Sequence, residues 1–498
     1  MSLDLNLDPA PWHRAAAAWS ALADSLDRAG DELAGGGHDL RTAWAAGGGA
    51  ARARQRVGAD HDAVLEALPP VRRIAAALAE HAPGLAALRR LGCGQLPPTQ
   101  RSVWAARLRE LDATTATALR ADRPPPVPTR VVVAGADVLA QRGRSPLAVR
   151  AWWRALSPAE RACAIRDHPE IVGWLDGVPA ADRDLANRAA LATQLAMLTE
   201  REATLGAFVE RLRGGPGLLT PTLLAAQAAH EQVREQLAGL ESVMVALSDH
   251  GERALLLGFD GSGDGQDGRV IVALGDPDQA RHTAVFVPGI NSDLRDTSGY
   301  VDTMERLRVM AEATTREPHD VSVVYWLGYD APQTRDALST SIAGEGGERL
   351  TPFVDGLRAA HEPGPSHVTL VGHSYGSTVV AEAALRASTH GGLRVDDIIA
   401  VGSPGMHADH AYRLGLDPRH VWGGIAGDDP VGGWLGDLPL VHGEEPTDPA
   451  FGANRFVVET HGHSGYGAAN STSLRNQAAI VVGRYDLVSL VHGTPPAA

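Results

Sequence analysis

Residues 372–376 read Gly-His-Ser-Tyr-Gly, and the sequence on either side of them decides the fold. A short apolar run, His367–Val371, precedes them and has the composition of a buried strand. Residues 378–385 follow them and read Thr-Val-Val-Ala-Glu-Ala-Ala-Leu, which is typical of a helix. The two glycines let the chain turn sharply between strand and helix. The pattern therefore predicts that the Ser374 hydroxyl stands above the end of a strand, where it can act as a nucleophile.

Eight apolar runs of strand length follow Gly251, and the later ones alternate with helical segments. This alternation predicts a mostly parallel sheet with helices on both faces. The loop Asp260–Gly268 joins the first two runs, which are predicted to form an antiparallel hairpin at the sheet edge. Eight strands with the serine after the fifth predict the α/β-hydrolase fold, in the α/β class. The predicted strands are Ala254–Phe259, Arg269–Leu274, Thr283–Val287, Val321–Leu327, His367–Val371, Asp397–Val401, His420–Ile425 and Arg455–Glu459.

The chain before these strands is predicted to be helical, in three parts. Residues 1–122 are predicted to form an N-terminal helical domain, because apolar residues recur at spacings of three and four. Residues 123–145 begin Arg-Pro-Pro-Pro-Val-Pro and are predicted to be a proline-rich linker. Residues 146–250 are predicted to be a helical segment that packs on or caps the hydrolase core. The catalytic domain is then residues 251–498.

A serine nucleophile needs a histidine base, and the histidine needs a carboxylate that fixes its tautomer. In this fold the carboxylate follows the seventh strand and the histidine follows the eighth. Each position is doubled here: Asp428 or Asp429 for the acid, and His461 or His463 for the base. Asp429 fits the G-x-D-x-V form of the acid loop. The predicted triad is therefore Ser374, Asp429 and His463, with Asp428 and His461 as the alternatives.

The oxyanion formed during acyl transfer needs backbone N–H donors. One is predicted to come from Tyr375, the residue after the nucleophile. The other is predicted to come from Ile290 in the loop after the third strand, with Asn291 as the alternative through its backbone or side chain. That loop could also be an ordinary Pro-Gly turn. Trp326 and Tyr329 follow the fourth strand and are predicted to border the substrate cleft, although packing is the competing interpretation.

Composition excludes several classes of function. The formal net charge of −15 argues against nucleic acid or an anionic membrane as the main partner, and all 45 basic residues are arginine. Two separated cysteines, Cys93 and Cys163, do not form a metal or disulfide pattern, so no metal and no cofactor are predicted. No apolar stretch has the length of a membrane span, and residues 1–8 lack the features of a signal peptide. We therefore expect a cytoplasmic protein.

Two resemblances to known families add to these predictions. The segment Trp174–Arg188 contains Leu-Asp-Gly-Val-Pro-Ala-Ala-Asp-Arg-Asp-Leu-Ala-Asn-Arg and, with Trp152, Trp153 and Pro169, resembles the helical segment of an actinobacterial α/β-hydrolase family of unassigned function. This resemblance covers residues 145–495 and implies the fold and the reaction class. The His463-Ser464-x-Tyr466 sequence is similar to a signature of the same family, which supports His463 as the base.

The N-terminal region is similar to the WXG-type helical hairpins of type VII secretion systems. Gly35-Gly-Gly37 predicts a break between two helices, and Trp44-Ala-Ala-Gly47 supplies the W-x-x-G. The resemblance implies a small helical partner and, as an alternative to a cytoplasmic location, export by a type VII system. The export signal of that family, Tyr-x-x-x-Asp/Glu, is absent, since the first tyrosine is Tyr300.

The residues together predict a serine hydrolase that cleaves an ester or related acyl bond of a small or lipid-like substrate. Acyl transfer to another acceptor, or peptidase action, would use the same residues. A binding or scaffold protein associated with secretion is the hypothesis from a different class. Its support is the long helical N-terminal half, and the triad-like pattern argues against it.

Overall fold

The structure is a computed structural model that describes residues 9–43, 48–90, 98–121, 135–213, 220–261, 268–315, 320–336, 340–362, 364, 366–431 and 442–491. The chain divides into two compact units, Met1–Val131 and Val132–Ala498. The predicted linker, residues 123–145, spans the boundary between them. Its proline-rich residues 123–128 lie outside the described residues.

The described part of the first unit is helical. Two of its helices pack side by side, with Ala16 against Ile74 and Leu78 and with Ala23 against Leu68 and Val71. Residue numbers rise along one helix as they fall along the other, so this pair is antiparallel. The helices are α1 (Ala10–Ala43), α2 (Gly48–Arg90) and α3 (Pro98–Ala121).

The predicted break at Gly35-Gly-Gly37 is wrong, because α1 continues through these glycines to Ala43. A glycine inside a helix costs about 1 kcal/mol relative to alanine, but helices in proteins draw most of their stability from packing, and α1 packs against α2 through residues such as Trp19 and Leu26. Residues 44–47 lie outside the described residues and include Trp44. The similarity to WXG-type hairpins therefore stays a prediction.

The second unit is built on one eight-stranded sheet with the order β1-β2-β4-β3-β5-β6-β7-β8. The pairs β1–β2 and β2–β4 are antiparallel, and the remaining pairs are parallel. This confirms the predicted fold and the hairpin at its edge. The strands are β1 (Ala254–Asp260), β2 (Arg269–Leu274), β3 (His282–Val287), β4 (Val321–Leu327), β5 (His367–His373), β6 (Asp397–Val401), β7 (Val421–Gly424) and β8 (Asn454–Arg455).

The strand order determines at which rim of the sheet the predicted nucleophile lies. The chain builds the sheet outward from β3 in both directions, with β4 on one side and β5 on the other. Ligands of open α/β sheets bind at the carboxyl ends of the strands beside such a switch point. The loop after β3 and the serine after β5 therefore meet at the same rim of the sheet.

Helices cover the sheet, whose interior strand β4 is buried at every position. Several helices of this unit pack on one another, among them Thr340–Ala360 on Tyr375–Ser388, Ala180–Arg213 on Pro221–His250, and Thr297–Thr315 on Thr472–Val481. No helix among the described residues has a stretch long and apolar enough to cross a bilayer. The helices of this unit are α4 (Gly135–Leu139), α5 (Pro146–Ala155), α6 (Pro158–Asp167), α7 (Pro169–Val172), α8 (Ala180–Arg213), α9 (Pro221–His250), α10 (Thr297–Thr315), α11 (Thr340–Ala360), α12 (Tyr375–Ser388) and α13 (Thr472–Val481).

Side chains from the beginning of α8 satisfy the outer backbone edge of β1. An edge strand leaves backbone N–H and C=O groups without strand partners. Arg183 donates to the Leu257 carbonyl at 2.8 Å, and Asn187 donates to the Leu256 carbonyl at 3.0 Å. Further bonds join Arg188 to the Ala254 carbonyl, the Leu256 N–H to Asp184, and Trp174 to the Phe259 carbonyl. The Trp174–Arg188 segment thus closes the sheet edge.

We expect Asn187→Ala to lower the free energy of unfolding by about 2–3 kcal/mol. The Asn187 side chain is fully buried and donates to the Gly173 and Leu256 carbonyls, so its removal leaves two buried acceptors without this donor. Urea unfolding measures the change. Glu200→Ala, at an exposed position of the same helix, is the control and should stay within about 0.5 kcal/mol of wild type. Equal losses in both variants would contradict the edge-capping role.

A buried carboxylate joins the amino ends of β5, β6 and β7. Asp397 is fully buried and accepts hydrogen bonds on both oxygens. Four donors saturate this buried charge, which compensates for its loss of water. The donors are His367 at 3.0 Å, His420 at 3.0 Å, Trp422 at 2.8 Å and Tyr485 at 2.7 Å.

The stability contributed by His367 is expected to fall as pH rises. Its Nδ1 faces the Val481 carbonyl at 3.0 Å and its Nε2 faces Asp397, so both nitrogens have acceptors. Burial alone would lower the pKa of His367, but the hydrogen bond to Asp397 and its charge outweigh burial and raise the pKa above 6.5. The folded state therefore holds the proton more tightly, and the contribution is full below about pH 6.5 and lost above the folded-state pKa.

Urea unfolding of wild type and His367→Gln measures this contribution. The difference in free energy of unfolding between the two proteins should be larger at about pH 6 than at about pH 9. A difference that stays constant or grows with pH would show that His367 is not held as a cation.

Candidate active site

Ser374 occupies a strained turn between β5 and α12. Its backbone has φ +52° and ψ −131°, and a positive φ is costly for any residue with a side chain. Its N–H donates to the Val401 carbonyl at the end of β6, at 3.0 Å. The side chain is largely buried at the rim of the sheet. Strain held in place by neighbouring strands is typical of a functional turn.

The two glycines of the motif are required by close approach of the backbone. A Cβ on Gly372 would lie 2.4 Å from the Cα of Ser377, and one on Gly376 would lie 2.1 Å from the Val287 carbonyl oxygen. Both distances are too short for a real contact. The two glycines thus allow α12 to pack tightly against β5 and against the end of β3.

Asp429 and His463 form a direct pair beside this turn. Both carboxylate oxygens of Asp429 lie 3.0 Å from Nδ1 of His463. The Tyr466 hydroxyl also donates to Asp429, and the Val431 N–H donates to it at 2.8 Å. Burial alone would raise the pKa of Asp429, but these hydrogen bonds lower it below its usual value. Asp429 is therefore ionised at neutral pH and can orient the His463 ring.

The alternative residues form a second, separate pair on the surface. Nδ1 of His461 lies 3.2 Å from Asp428, and the Gly462 N–H donates to the same carboxylate at 2.9 Å. The His461 side chain is 89% exposed, whereas that of His463 is 27% exposed. The structure therefore pairs Asp429 with His463 and Asp428 with His461.

The nucleophile turn is joined to the base through His373. Nε2 of His373 lies 2.7 Å from the His463 carbonyl oxygen. On the acid side, a Cβ on Gly402, the residue after β6, would lie 2.9 Å from the Asp429 carboxylate. Among the described residues, the Ser374 hydroxyl makes no direct hydrogen bond to the His463 ring. Such contacts are often long before substrate binds.

The loop after β3 lies directly against the nucleophile. A Cβ on Gly289 would lie 2.7 Å from the Ser374 Cβ and 3.1 Å from its Oγ. The Asn291 N–H donates to the Pro332 carbonyl at 2.9 Å, and the Asn291 side chain is hydrogen-bonded to Thr334. Among the described residues, no carbonyl accepts from the Ile290 N–H. These contacts favour Ile290 over Asn291 as the second oxyanion donor.

Tyr375 begins α12, and the first N–H groups of a helix have no partner within the helix. Its amide directly follows Ser374 and stays the predicted first oxyanion donor. The Tyr375 side chain points elsewhere: it is buried, and its hydroxyl accepts from the Ala343 N–H at 3.0 Å.

If Ser374 acts as the predicted nucleophile, Gly289→Ala should lower kcat by about 100- to 1,000-fold, the loss typical of one oxyanion donor. The added methyl group would clash with Ser374 and push the loop away from the nucleophile. Gly299→Ala in α10 is the matched control, since a Cβ there meets nothing within 4 Å. Steady-state kinetics measures both variants, and equal activities would contradict a role for the loop.

Trp326 and Tyr329 are buried, each about 1% exposed. Their rings stack with centroids 6.1 Å apart, and the Tyr329 hydroxyl donates to the Pro288 carbonyl at 2.8 Å. Tyr329 therefore supports the loop that carries Ile290. Trp326 also lines a cavity of about 710 Å³ with Trp174 and Phe353, and no residue of the predicted triad lines that cavity. These contacts support the packing interpretation of both aromatics.

Two contributors to the site were not assigned a role from the sequence: Tyr466, which donates to Asp429, and His373, which contacts the His463 backbone. Tyr329, predicted to border the cleft, instead holds the loop after β3. The His463-Ser-x-Tyr466 sequence could have indicated Tyr466, because it places this residue three positions after the base. Within the described residues, no group of three His, Cys, Asp or Glu side chains is arranged to hold a metal ion.

The chain is similar to proteins of actinobacteria. The family described as alpha/beta hydrolase matches residues 264–436. The uncharacterized protein Rv2079 of Mycobacterium tuberculosis is 31% identical over 375 residues, which cover 68% of this chain and 56% of that protein. The chain thus spans little more than half the length of that relative. The uncharacterized protein Mb0988c of Mycobacterium bovis is 31% identical over 204 residues, covering 40% of this chain and 74% of that protein.

Among solved structures, an esterase of Pyrobaculum calidifontis is similar at 13% identity, with a TM-score of 0.31. The match covers 53% of this chain and 99% of the esterase.

Proposed function

The chain belongs to the α/β-hydrolase family, and from this premise we propose that it is a serine hydrolase that cleaves an ester or related acyl bond. The contact between Asp429 and His463, beside a strained serine turn, carries the proposal. An ionised carboxylate bonded to Nδ1 leaves Nε2 of the ring as the atom that accepts a proton. A purely structural pair would have no need of the strained serine beside it.

In the proposed reaction, Ser374 Oγ forms a bond to the acyl carbon while His463 takes the hydroxyl proton. The carbonyl oxygen becomes an oxyanion, held by the N–H groups of Tyr375 and Ile290. The bond to the leaving group then breaks, and His463 gives its proton to that group. Water attacks the resulting acyl-enzyme by the same route and restores Ser374.

The substrate that we propose is a small or lipid-like acyl ester, and the reaction needs no cofactor. Acyl esters of p-nitrophenol with graded chain length would define the preferred acyl group. The activity should rise to a maximum at one chain length, because a pocket of fixed size gains binding energy with each buried methylene until it is full.

A fluorophosphonate probe tests the chemistry directly. The probe forms a covalent bond with an activated serine, and mass spectrometry of the digested protein locates it. We expect labelling of Ser374 that is lost after heat denaturation. An unlabelled native protein, in a reaction where a control serine hydrolase is labelled, would overturn the proposal.

A further inference from the structure

We infer that His373, the residue before the nucleophile, is a positioning residue that fixes the distance between Ser374 and His463. The inference rests on the proposed function, because it concerns the alignment of a nucleophile with its base. It adds a fourth side chain to the site, one that acts through the backbone of His463.

The His373 ring is clamped between three partners. Nε2 lies 2.7 Å from the His463 carbonyl oxygen, and the two imidazole rings have centroids 4.9 Å apart. Phe286 stacks on the ring at 6.3 Å with an interplanar angle of 17°, and Tyr466 packs against it at 5.7 Å. Aromatic packing therefore holds the ring in the orientation that the hydrogen bond needs.

The acceptor determines the protonation state of His373. A carbonyl oxygen can only accept, so Nε2 must carry the hydrogen. Burial, and then the neighbouring His463, lower the pKa of His373 to about 4. The ring is therefore neutral at pH 7, and it adds no positive charge beside His463 when that residue takes the serine proton.

Other titratable groups also face this ring. His463, Asp429 and Tyr466 lie on the acid and base side, and Tyr300 and Asp296 line the cavity of about 340 Å³ onto which His373 opens. Burial raises the pKa of Tyr300 and of Tyr466, so both hydroxyls stay protonated. Neither tyrosine therefore brings a charge to this ring. The ionised carboxylate in contact with the base is Asp429, which orients His463.

The base is therefore held at two points. Asp429 holds the His463 side chain through Nδ1, and His373 holds its backbone carbonyl. Because His373 is covalently next to Ser374, this second contact ties the nucleophile turn directly to the base loop. A misplacement of about 1 Å between reacting groups can cost about 100-fold in rate, so loss of the tie should lower kcat.

Three variants separate positioning from packing. His373→Gln keeps an N–H donor close to the place of Nε2. His373→Asn has a similar polarity, but its donor lies nearer the backbone, at the place of Nδ1. His373→Leu removes the donor and keeps an apolar side chain. The rate of fluorophosphonate labelling of Ser374, and kcat and KM for p-nitrophenyl acetate, are measured for each.

We expect His373→Leu and His373→Asn to lose about 100-fold in labelling rate and kcat with little change in KM. His373→Gln should stay close to wild type. Wild-type rates in His373→Leu, or equal losses in Gln and Asn, would overturn the inference. If His373→Leu does not fold, the comparison of Gln with Asn decides alone.

An NMR titration keeps this test distinct from that of the proposed function. The imidazole signals of His463 are followed with pH in wild type and in the three variants. The titration should be alike in wild type and His373→Gln and shifted in His373→Leu. If wild type is not labelled by the probe, the proposed function fails. The titration still tests the contact between His373 and the His463 carbonyl. An unchanged His463 titration in all variants would overturn it.

Discussion

Ser374→Ala is expected to lower kcat for ester hydrolysis by about a millionfold, the loss found when the nucleophile of such a triad is removed. The substitution deletes the proposed nucleophilic oxygen and leaves the proposed oxyanion donors in place. The fold should survive, because alanine can occupy the same strained turn and removes only one hydroxyl. Steady-state kinetics with a p-nitrophenyl ester and thermal unfolding measure the two effects.

Ser388→Ala is the control for this experiment. Ser388 lies at the exposed end of α12, and among the described residues its hydroxyl donates only to the Leu385 carbonyl, at 2.7 Å. Its replacement should leave kcat unchanged. More than about 1% of wild-type activity in pure Ser374→Ala would mean that another group carries the reaction.

Ser374→Gly provides an independent measure of the strain in the turn. Glycine populates positive φ at no steric cost, so it should stabilise the fold relative to the alanine variant if strain dominates. The gain competes with the greater flexibility of glycine in the unfolded chain. The expected pattern, an inactive protein that is at least as stable as wild type, is that of a turn kept for chemistry.

The sheet could be predicted from the sequence because its strands are buried on both faces. Such strands read as continuous apolar runs, and β4 is predicted and observed over the same residues, Val321–Leu327. The eighth strand departs most: the apolar run predicts Arg455–Glu459, whereas β8 is Asn454–Arg455. After Arg455 the ladder with β7 ends and the chain bonds to residues 489–491, through a Phe456–Leu490 bridge and the Val457 N–H to the Ser489 carbonyl. The apolar run therefore overestimates the strand.

The role of the Trp174–Arg188 segment could not be predicted from the sequence. Its arginines, aspartates and asparagine look like exposed or catalytic residues, yet Arg183, Asp184 and Asn187 are buried. They bond to the backbone of β1, which lies 69 to 74 residues further along the chain. A pattern that contains the donors does not indicate which acceptors, far along the chain, will face them.

The candidate site, too, could be predicted from the sequence only in part. Strand order placed Asp429 and His463 near each other, because the fold specifies which loops meet at the rim. The choice between doubled candidates needs coordinates, since two neighbouring aspartates face opposite environments: one is buried under Tyr466 and the other is on the surface. The contacts of Tyr329 with the loop and of His373 with the base involve backbone carbonyls, which leave no trace in the sequence.

The neighbouring residues Asp428 and Asp429 allow a matched pair of variants, in which the Asp428 variant is the control for the Asp429 variant. Asp429→Asn is expected to lower kcat by about 10⁴-fold, because an amide can donate to Nδ1 and so favours the tautomer whose proton lies on the wrong nitrogen. Asp428→Asn changes the same atoms one residue earlier, but its partner His461 is 89% exposed, so kcat should stay within about twofold of wild type.

Kinetics with a p-nitrophenyl ester and the rate of fluorophosphonate labelling measure both variants, and thermal unfolding separates activity from stability. Asp429 also accepts from Tyr466 and from the Val431 N–H, and an asparagine oxygen can keep one of these bonds. A large loss of kcat with a folded protein therefore isolates the orientation of His463. The reverse order, with Asp428→Asn inactive and Asp429→Asn active, would assign the reaction to the surface pair and remove the buried one from the mechanism.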